Sequence, residues 1–422
     1  MCLHENIFVC QFERISRVKT TKKQGGSVLY VASHCLPFHA NGYAFRTQEL
    51  IKVAKKEGIN FHIVTRPGYP WDRRDSRNKV KGYQTVIDGL VYNHIPGMGR
   101  NWPLFLYAFF AAKGIANFAQ RLSIRCIHAA SNHVNALPAL LAARKLGVPF
   151  QYEVRGFWEL SRAASNPLFT KTFAYKRGLY LEKFVARHAD RVFCISYQVL
   201  IYIHQNFGIP LDRLRLLPNC VDEGEVVSQF IEPLNPCTIV YAGTLNHYEG
   251  LDILLHAVSE IHSRGIAIHL KVIGDGPSRK SLEELTRSLQ LSEIVRFFGK
   301  IPREDVMQII TTSALVCIPR LPCEVCAIVP PLKLVEAMAL AKPLVVPDLQ
   351  VFRDEIGGDS AGLFFRPGDP SDLAQVLRTG LSSPEMLRRV GEGARSRVLQ
   401  NRIWSKFVAD IWPSEMRNCE KY

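Results

Sequence analysis

Short apolar runs rich in β-branched and aromatic residues recur along the chain, and most are followed by a stretch with helical spacing. "SVLYVAS" (27–33) leads through the loop "HCLPFHANGY" into "AFRTQELIKVAKKEG", which places Leu50, Val53 and Ala54 on one helical face, and then "INFHIVTR". Strand, loop, helix, strand is the unit of a parallel sheet covered by helices. "IRCIHAAS", "VPFQYEVRG", "DRVFCIS" and "LRLLPN" continue as strands, with helices at "NALPALLAARKLG", "GLYLEKFVARHA" and "YQVLIYIHQNFG". Over 221–236, "VDEGEVVSQFIEPLNP", the periodicity lapses and the chain reads as a linker. Alternation then restarts with strands at "CTIVYAG", "IAIHLKVIG", "IVRFFG", "ALVCIPR" and "GLFFRPGD" and helices between them. "PPLKLVEAMALAKPLVV" (330–346) is helical in its first half and strand-like in its second. The expectation is an α/β protein of two doubly wound halves, spanning 26–222 and 223–402, with 1–25 a loose basic extension. Open parallel sheets bind ligands beyond the carboxyl ends of their strands, so if the halves face each other the site is the cleft between them.

Composition narrows the class. The 422 residues suffice for two or three domains, and 47% hydrophobic with 22% charged residues is globular. The longest apolar run, "WPLFLYAFFAA" (102–112), is shorter than the ~18 residues a spanning helix needs; it packs on a core or sits in a membrane interface. A formal charge of +15 favours an anionic partner. The excess is dispersed, with its densest run at "RISRVKTTKK" (14–23), and no nucleic-acid-binding signature accompanies it, so nucleic acid is not expected as a partner. The eleven cysteines form no framework. Their one close pair, "CEVC" (323–326), lacks the second pair or histidines of a zinc site. Reduced thiols in a cytoplasmic protein fit this usage, and the first 25 residues lack the apolar core of a signal peptide.

Candidate chemistry sits just after strands. "VIGDGP" (272–277) is either an ordinary turn or a place where backbone meets a flat or phosphorylated ligand. It is not a Gly-x-Gly-x-x-Gly fingerprint, and there is no Walker loop, which argues against a dinucleotide dehydrogenase and a P-loop NTPase. In "YAGTLNHYEGLDILL" Gly243 ends a strand and Gly250 precedes a helix whose N-terminus suits a diphosphate. Asn41–Gly42 forms a third such loop. In "PPLKLVEAMALAKPLVV", Lys333 and Glu336 stand three apart on a helix. They make either an intrahelical ion pair worth about 0.2–0.5 kcal/mol, or a ligand pair in which the carboxylate accepts from a ribose diol and the lysine neutralises phosphate.

Taken together, "IVYAGTLNHYEGLDILLHAV", "LKVIGDGPSRKSLEEL", "VRFFGKIPREDV", "PPLKLVEAMALAKPLVV" and "AGLFFRPGDPSDLA" resemble, in order and spacing, the motifs of glycosyltransferase family 4 (glycosyl transferases group 1). "LLPNCVDE" looks like that family's hinge motif, and "SHCLPFHANGYAFRTQEL" like a subgroup's N-terminal loop. The resemblance implies the GT-B fold, with two Rossmann-like domains facing across a cleft and a C-terminal helix at about 403–418 rejoining the first. It implies retaining transfer of a sugar from a nucleotide-sugar co-substrate to a glycan or lipid-linked acceptor, in surface polysaccharide or glycolipid synthesis, with no cofactor and no essential metal. Glu336 would grip the donor ribose, beside Leu332. Gly274 and the Gly299, Lys300, Ile301 segment would frame the base. The Gly42 and Gly243 loops, with Thr244 and Glu249, would approach the diphosphate and sugar. Lys333, Arg155 and Arg46 are the cationic candidates for the charge that grows on the leaving phosphate.

Departures from the pattern bear on the site. The family often has two glutamates seven residues apart; the earlier would fall on Ile328. The usual arginine and lysine of the diphosphate loop are Thr244 and Glu249 here, with Lys333 the candidate replacement. Where many members place a histidine, this chain has Arg155, which either clamps an anion or pairs with Glu153 or Glu159. A non-catalytic relative serving as partner or scaffold, and a GT-B-shaped nucleotide-sugar epimerase, stand as alternatives. The aromatic and basic mixtures at 101–122 and 169–184 are either amphipathic core helices or a face for an anionic membrane surface, placing the enzyme on the inner side of the cytoplasmic membrane.

Overall fold

The computed structural model describes residues 26–99 and 101–412. The expected extension 1–25 lies outside them. The described chain divides into two compact units, one of residues 26–159, 168–218 and 404–412 and the other of 160–167 and 219–403. The passage falls ahead of the expected position 222, because the backbone N–H of Val221 donates to the Arg402 carbonyl at 3.0 Å and Val221 bridges Ile403 in parallel.

The first unit holds an eight-stranded sheet. Its strands are β1 (Ser27–Ala32), β2 (Phe61–Thr65), β3 (Gln84–Ile87), β4 (Leu90–His94), β5 (Ile124–Ala130), β6 (Phe150–Val154), β7 (Arg191–Cys194) and β8 (Leu214–Leu216). Their order is β3-β4-β2-β1-β5-β6-β7-β8, parallel except for the β3–β4 hairpin. β1 and β6 are buried along their whole length, as strands covered on both faces must be, which is why they read as unbroken apolar runs. The hairpin turns on Asp88 and Gly89, both at positive φ, the Asp-Gly chemistry of a tight hairpin; it is an element beyond those expected from periodicity. The helix Leu104–Gln120 buries Tyr107, Ala108, Ala111, Ala112, Ile115, Ala116 and Ala119 and turns Phe105, Phe109 and Phe110 outward, with Trp102 exposed just ahead of it.

The last described segment returns to this unit. The helix Ser405–Ile411 occupies the middle of the expected 403–418, of which 413–418 lie outside the described residues. Trp404 and Trp412 flank it and are fully buried. Trp412 meets Phe61 edge-on at 4.7 Å between ring centroids, and Arg46 lies 4.9 Å above the Trp404 ring.

The second unit is a six-stranded, wholly parallel sheet of β9 (Thr238–Ala242), β10 (His269–Ile273), β11 (Val295–Gly299), β12 (Leu315–Cys317), β13 (Leu344–Pro347) and β14 (Leu363–Phe365), ordered β11-β10-β9-β12-β13-β14. The helices Leu251–Ser263 and Pro370–Leu381 pack on one side through Leu254, Leu255, Val258, Leu373 and Leu377. On the other lie Leu334, Val335, Met338, Val351, Phe352, Ala394 and Val398. Strand order reverses between β1 and β5 in the first sheet and between β9 and β12 in the second. Such reversals open a crevice at the carboxyl edge, where ligands of this architecture bind.

Candidate active site

In the second unit, the residues after β9 and β12 converge at the reversal. Glu249 is buried and sits at its centre. Lys333 Nζ donates to its Oε2 at 2.6 Å, Arg320 donates to its Oε1 through Nη2 at 2.8 Å and Nε at 3.1 Å, and the Tyr241 hydroxyl donates to Oε2 at 3.2 Å. Lys333 Nζ also lies 3.9 Å from the centroid of the Tyr241 ring, and Arg320 Nη1 donates to the Val329 carbonyl at 2.8 Å. One carboxylate with two cations leaves the cluster a net positive charge. Burial opposes ionisation of Glu249, but Arg320 and Lys333 prevail and hold its carboxyl down to about 2. Burial pulls Lys333 down to about 8, against the attraction of Glu249 and with the repulsion of Arg320.

The glycines of these loops fit because nothing larger would. A Cβ on Gly243 would lie 2.6 Å from Lys333 Nζ, and one on Gly274 (φ +124°) would lie 1.9 Å from the Gly243 carbonyl oxygen. The Gly243 N–H donates to Ile273 O at 2.9 Å and the Gly274 N–H to Gly299 O at 2.8 Å, so the ends of β9, β10 and β11 are stitched in a row. Thr244 and Lys300 are exposed and Ile301 half-buried beside them; the Thr244 carbonyl accepts from Tyr241 at 3.0 Å.

Lys333 and Glu336 share the helix Leu332–Ala339 but do not pair with each other. Lys333 turns to Glu249, while Glu336 meets Arg303, Oε1 to Nη2 at 3.3 Å. The intrahelical pair is thus replaced by two separate partnerships with other loops. Burial raises the Glu336 carboxyl above its ordinary range, with Arg303 pulling it back. Its side chain keeps 22% exposure, so it is not sealed within the core. Leu332 packs beside it on the core. Ile328 closes the short helix Glu324–Ile328, whose first residue is Glu324.

In the first unit, Gly42 opens the helix Gly42–Lys56, capped by the Asn41 side chain, which accepts from Ala44 N at 3.0 Å. Arg46 and Arg155 are buried and converge on Glu153. Arg46 Nε donates to Oε1 at 2.9 Å and Arg155 Nη2 to Oε2 at 2.7 Å. Arg46 also donates to the carbonyls of Pro218 and Leu217 at 2.6 and 2.7 Å, and Arg155 to Tyr43 O and Thr47 Oγ1 at 2.9 and 2.8 Å. Burial opposes ionisation of Glu153, yet the two guanidiniums hold it well below the usual carboxylate range. Of the two pairings open to Arg155 in the sequence, the structure takes the one with Glu153.

Arg320, Arg303 and Tyr241 escaped the sequence reading. Arg320 ends the apolar run "ALVCIPR" at the reversal strand, a position that strand order alone makes conspicuous.

Two family models account for most of the chain: glycosyl transferases group 1 over residues 225–397 and the glycosyl transferase 4-like domain over residues 41–220. The protein belongs to the group 1, family 4 glycosyltransferases, enzymes that transfer sugars in glycan synthesis. It is 26% identical over 289 residues to an MMP alpha-(1->4)-mannosyltransferase of Mycolicibacterium hassiacum, an alignment covering 64% of this chain and 66% of that one. The fold is that of the GT-B glycosyltransferases. Sucrose-phosphate synthase from Thermosynechococcus elongatus superposes with a TM-score of 0.74 at 16% identity, over 92% of this chain and 97% of that one. Alr3699/HepE of Anabaena, solved with UDP and glucose, gives a TM-score of 0.69 at 15% identity, over 92% and 98%.

Proposed function

We propose that the protein transfers a sugar from a nucleoside-diphosphate donor to a glycan or lipid-linked acceptor with retention at the anomeric carbon. The observation that carries this is the Glu249–Lys333–Arg320 cluster pressed against Gly243 at the β9/β12 reversal. Glu249 fixes the ammonium of Lys333 where a diphosphate would lie, and the cluster's surplus charge favours an anion. Glu336, partly open and one helical turn on, accepts from the ribose diol. As the bond between anomeric carbon and phosphate oxygen breaks, its electron pair stays on the phosphate. Lys333, already oriented, stabilises that charge without reorganisation. The acceptor oxygen bonds to the anomeric carbon on the face the phosphate leaves, and its proton passes to a phosphate oxygen. The charge on the leaving group is met by this lysine, and no step is assigned to a metal. Arg46 and Arg155 act as braces, since Glu153, nearby carbonyls and the Thr47 hydroxyl engage Nε, Nη1 and Nη2 of Arg46 and both terminal nitrogens of Arg155; the donor contacts expected of them fall to Lys333. UDP in the Anabaena relative makes a uridine-diphosphate sugar the first donor to try.

The test is a thermal-shift screen of nucleotide sugars. One donor raises the melting temperature of the wild type, and Glu336→Ala and Lys333→Ala, each still folded, lose the shift. A wild type that no nucleotide sugar stabilises sinks the reading.

The aromatic face of the helix Leu104–Gln120 supports a location on the cytoplasmic face of an anionic membrane, where a lipid-linked acceptor is found. No helix among the described residues is long and apolar enough to cross a membrane. Trp102, Phe105, Phe109 and Phe110 stand exposed with Lys113 beside them, the mixture of aromatic bodies and basic tips that settles at a lipid interface.

A further inference from the structure

His133, Glu159 and Glu182 belong to no part of the donor site, yet they meet inside the first unit. His133 opens the helix that follows β5, Glu159 stands in the first turn of the helix Trp158–Ser165 after β6, and Glu182 projects from the helix Phe173–His188. One ligand atom from each lies within 4.8 Å of the others. His133 Nδ1 is 3.0 Å from Glu182 Oε1 and 3.7 Å from Glu159 Oε1. Ligands at about 2.0–2.2 Å from one small cation lie about 3–3.5 Å apart, so the two separations from His133 are already close to that range and the third, within 4.8 Å, would contract on binding.

The second observation concerns Glu159 itself. Its side chain is 0% exposed, and both carboxylate oxygens lack any hydrogen-bond partner. Among the described residues neither Glu159 nor Glu182 is ion-paired with a lysine or arginine. Glu182 is supported by its neighbours: His133 N–H donates to Oε1 at 2.6 Å and the Tyr152 hydroxyl donates to Oε2. Glu159 has no such support. The chain nevertheless makes room for it: a Cβ on Gly178 would lie 2.2 Å from Glu159 Oε1. A buried carboxylate with no donor is costly unless a proton or a cation joins it.

We infer that His133, Glu159 and Glu182 form a buried binding site for one divalent first-row cation, Mn2+ or Zn2+. One imidazole nitrogen with two carboxylate oxygens is a mixed donor set that such ions accept. The ion would tie the starts of the helices after β5 and β6 to the helix Phe173–His188. It is a structural tie, separate from the sugar-transfer step.

The full-length protein, stripped with a chelator and titrated with Mn2+ alone, tests this. Mn2+ is the better probe because the thiols would compete for Zn2+. The expected result is one Mn2+ per chain, read as loss of the free-ion electron paramagnetic resonance signal, with a rise in melting temperature. Glu159→Gln should weaken binding about tenfold or more, as a lost contact to a metal does. That variant keeps the side-chain shape and breaks no hydrogen bond, so it remains informative even if Glu182→Gln fails to fold. Three results overturn the inference: no uptake of Mn2+ when the stripped wild type is titrated, unchanged binding in Glu159→Gln, or a Glu159→Gln protein that is more stable while metal has no effect on the wild type. The last would mean that a proton fills the role.

Discussion

Lys333 carries its charge in a place that disfavours charge. The Glu249 carboxylate draws the proton on, burial and Arg320 drive it off, and the balance rests at about 8 instead of 10.5. The unfolded chain therefore binds more protons than the folded one between about 8 and 10.5, and the contribution of this lysine to stability rises with pH across that window. Donor affinity runs the other way, since a diphosphate needs the ammonium. Donor binding measured by calorimetry should be flat below pH 8 and weaken above it, approaching about tenfold per pH unit. Lys333→Met should bind weakly and lose that slope; a wild-type profile flat to pH 10 contradicts the assignment. Glu249, ordinarily titrating near 4.5 and held at about 2, keeps its half of the arrangement down to strongly acidic pH. The sequence showed Lys333 and Glu336 as a pair and Glu249 as an oddity in place of a cation. It could not show that Lys333 reaches the opposite loop, because that contact spans 84 residues and depends on strand order.

Among the elements, those with a clean apolar stripe or an unbroken β-rich run were legible, since one burial geometry generates each pattern. The helix Pro384–Asn401 was not. Its buried positions are Leu387, Val390, Gly391, Ala394 and Val398. A glycine and an alanine among them dilute the stripe, and Arg388, Arg389, Glu392 and Arg395 surround it with charge. Gly391 is there for contact: a Cβ would fall 2.1 Å from the Ala341 carbonyl oxygen. Gly391→Ala should therefore destabilise, although alanine is the better helix former. Overpacking of this kind costs about 1–3 kcal/mol, to be read as a lower denaturation midpoint. A neutral or stabilising result would show that the helix can slide away from the 341 turn without loss.

For the whole molecule, alternation of strand and helix on either side of a lapse at 221–236 was enough to reach two α/β halves. The order of strands within each sheet was out of reach, because it is set by crossovers that leave no periodic trace. Charge and surface act at this scale too. A formal +15 with an aromatic face exposed on one helix predicts sedimentation with vesicles rich in anionic lipid. Binding should weaken as salt rises, because the attraction is screened within about 10 Å at 0.1 M. Phe109→Ser with Phe110→Ser should reduce binding at every salt concentration. Equal binding to neutral vesicles, or none to anionic ones, contradicts the proposal.

The return of Trp404 and Trp412 to the first unit sets an order of events during translation. Residues 26–218 can leave the ribosome with their sheet formed, yet the places beneath Arg46 and against Phe61 stay unfilled until codon 412 has been read. The whole of 219–403 is made in the interval and has time to fold by itself. A stop at codon 404 would spare that later half and cripple the earlier one, so the lesion would strike the part of the protein synthesised first.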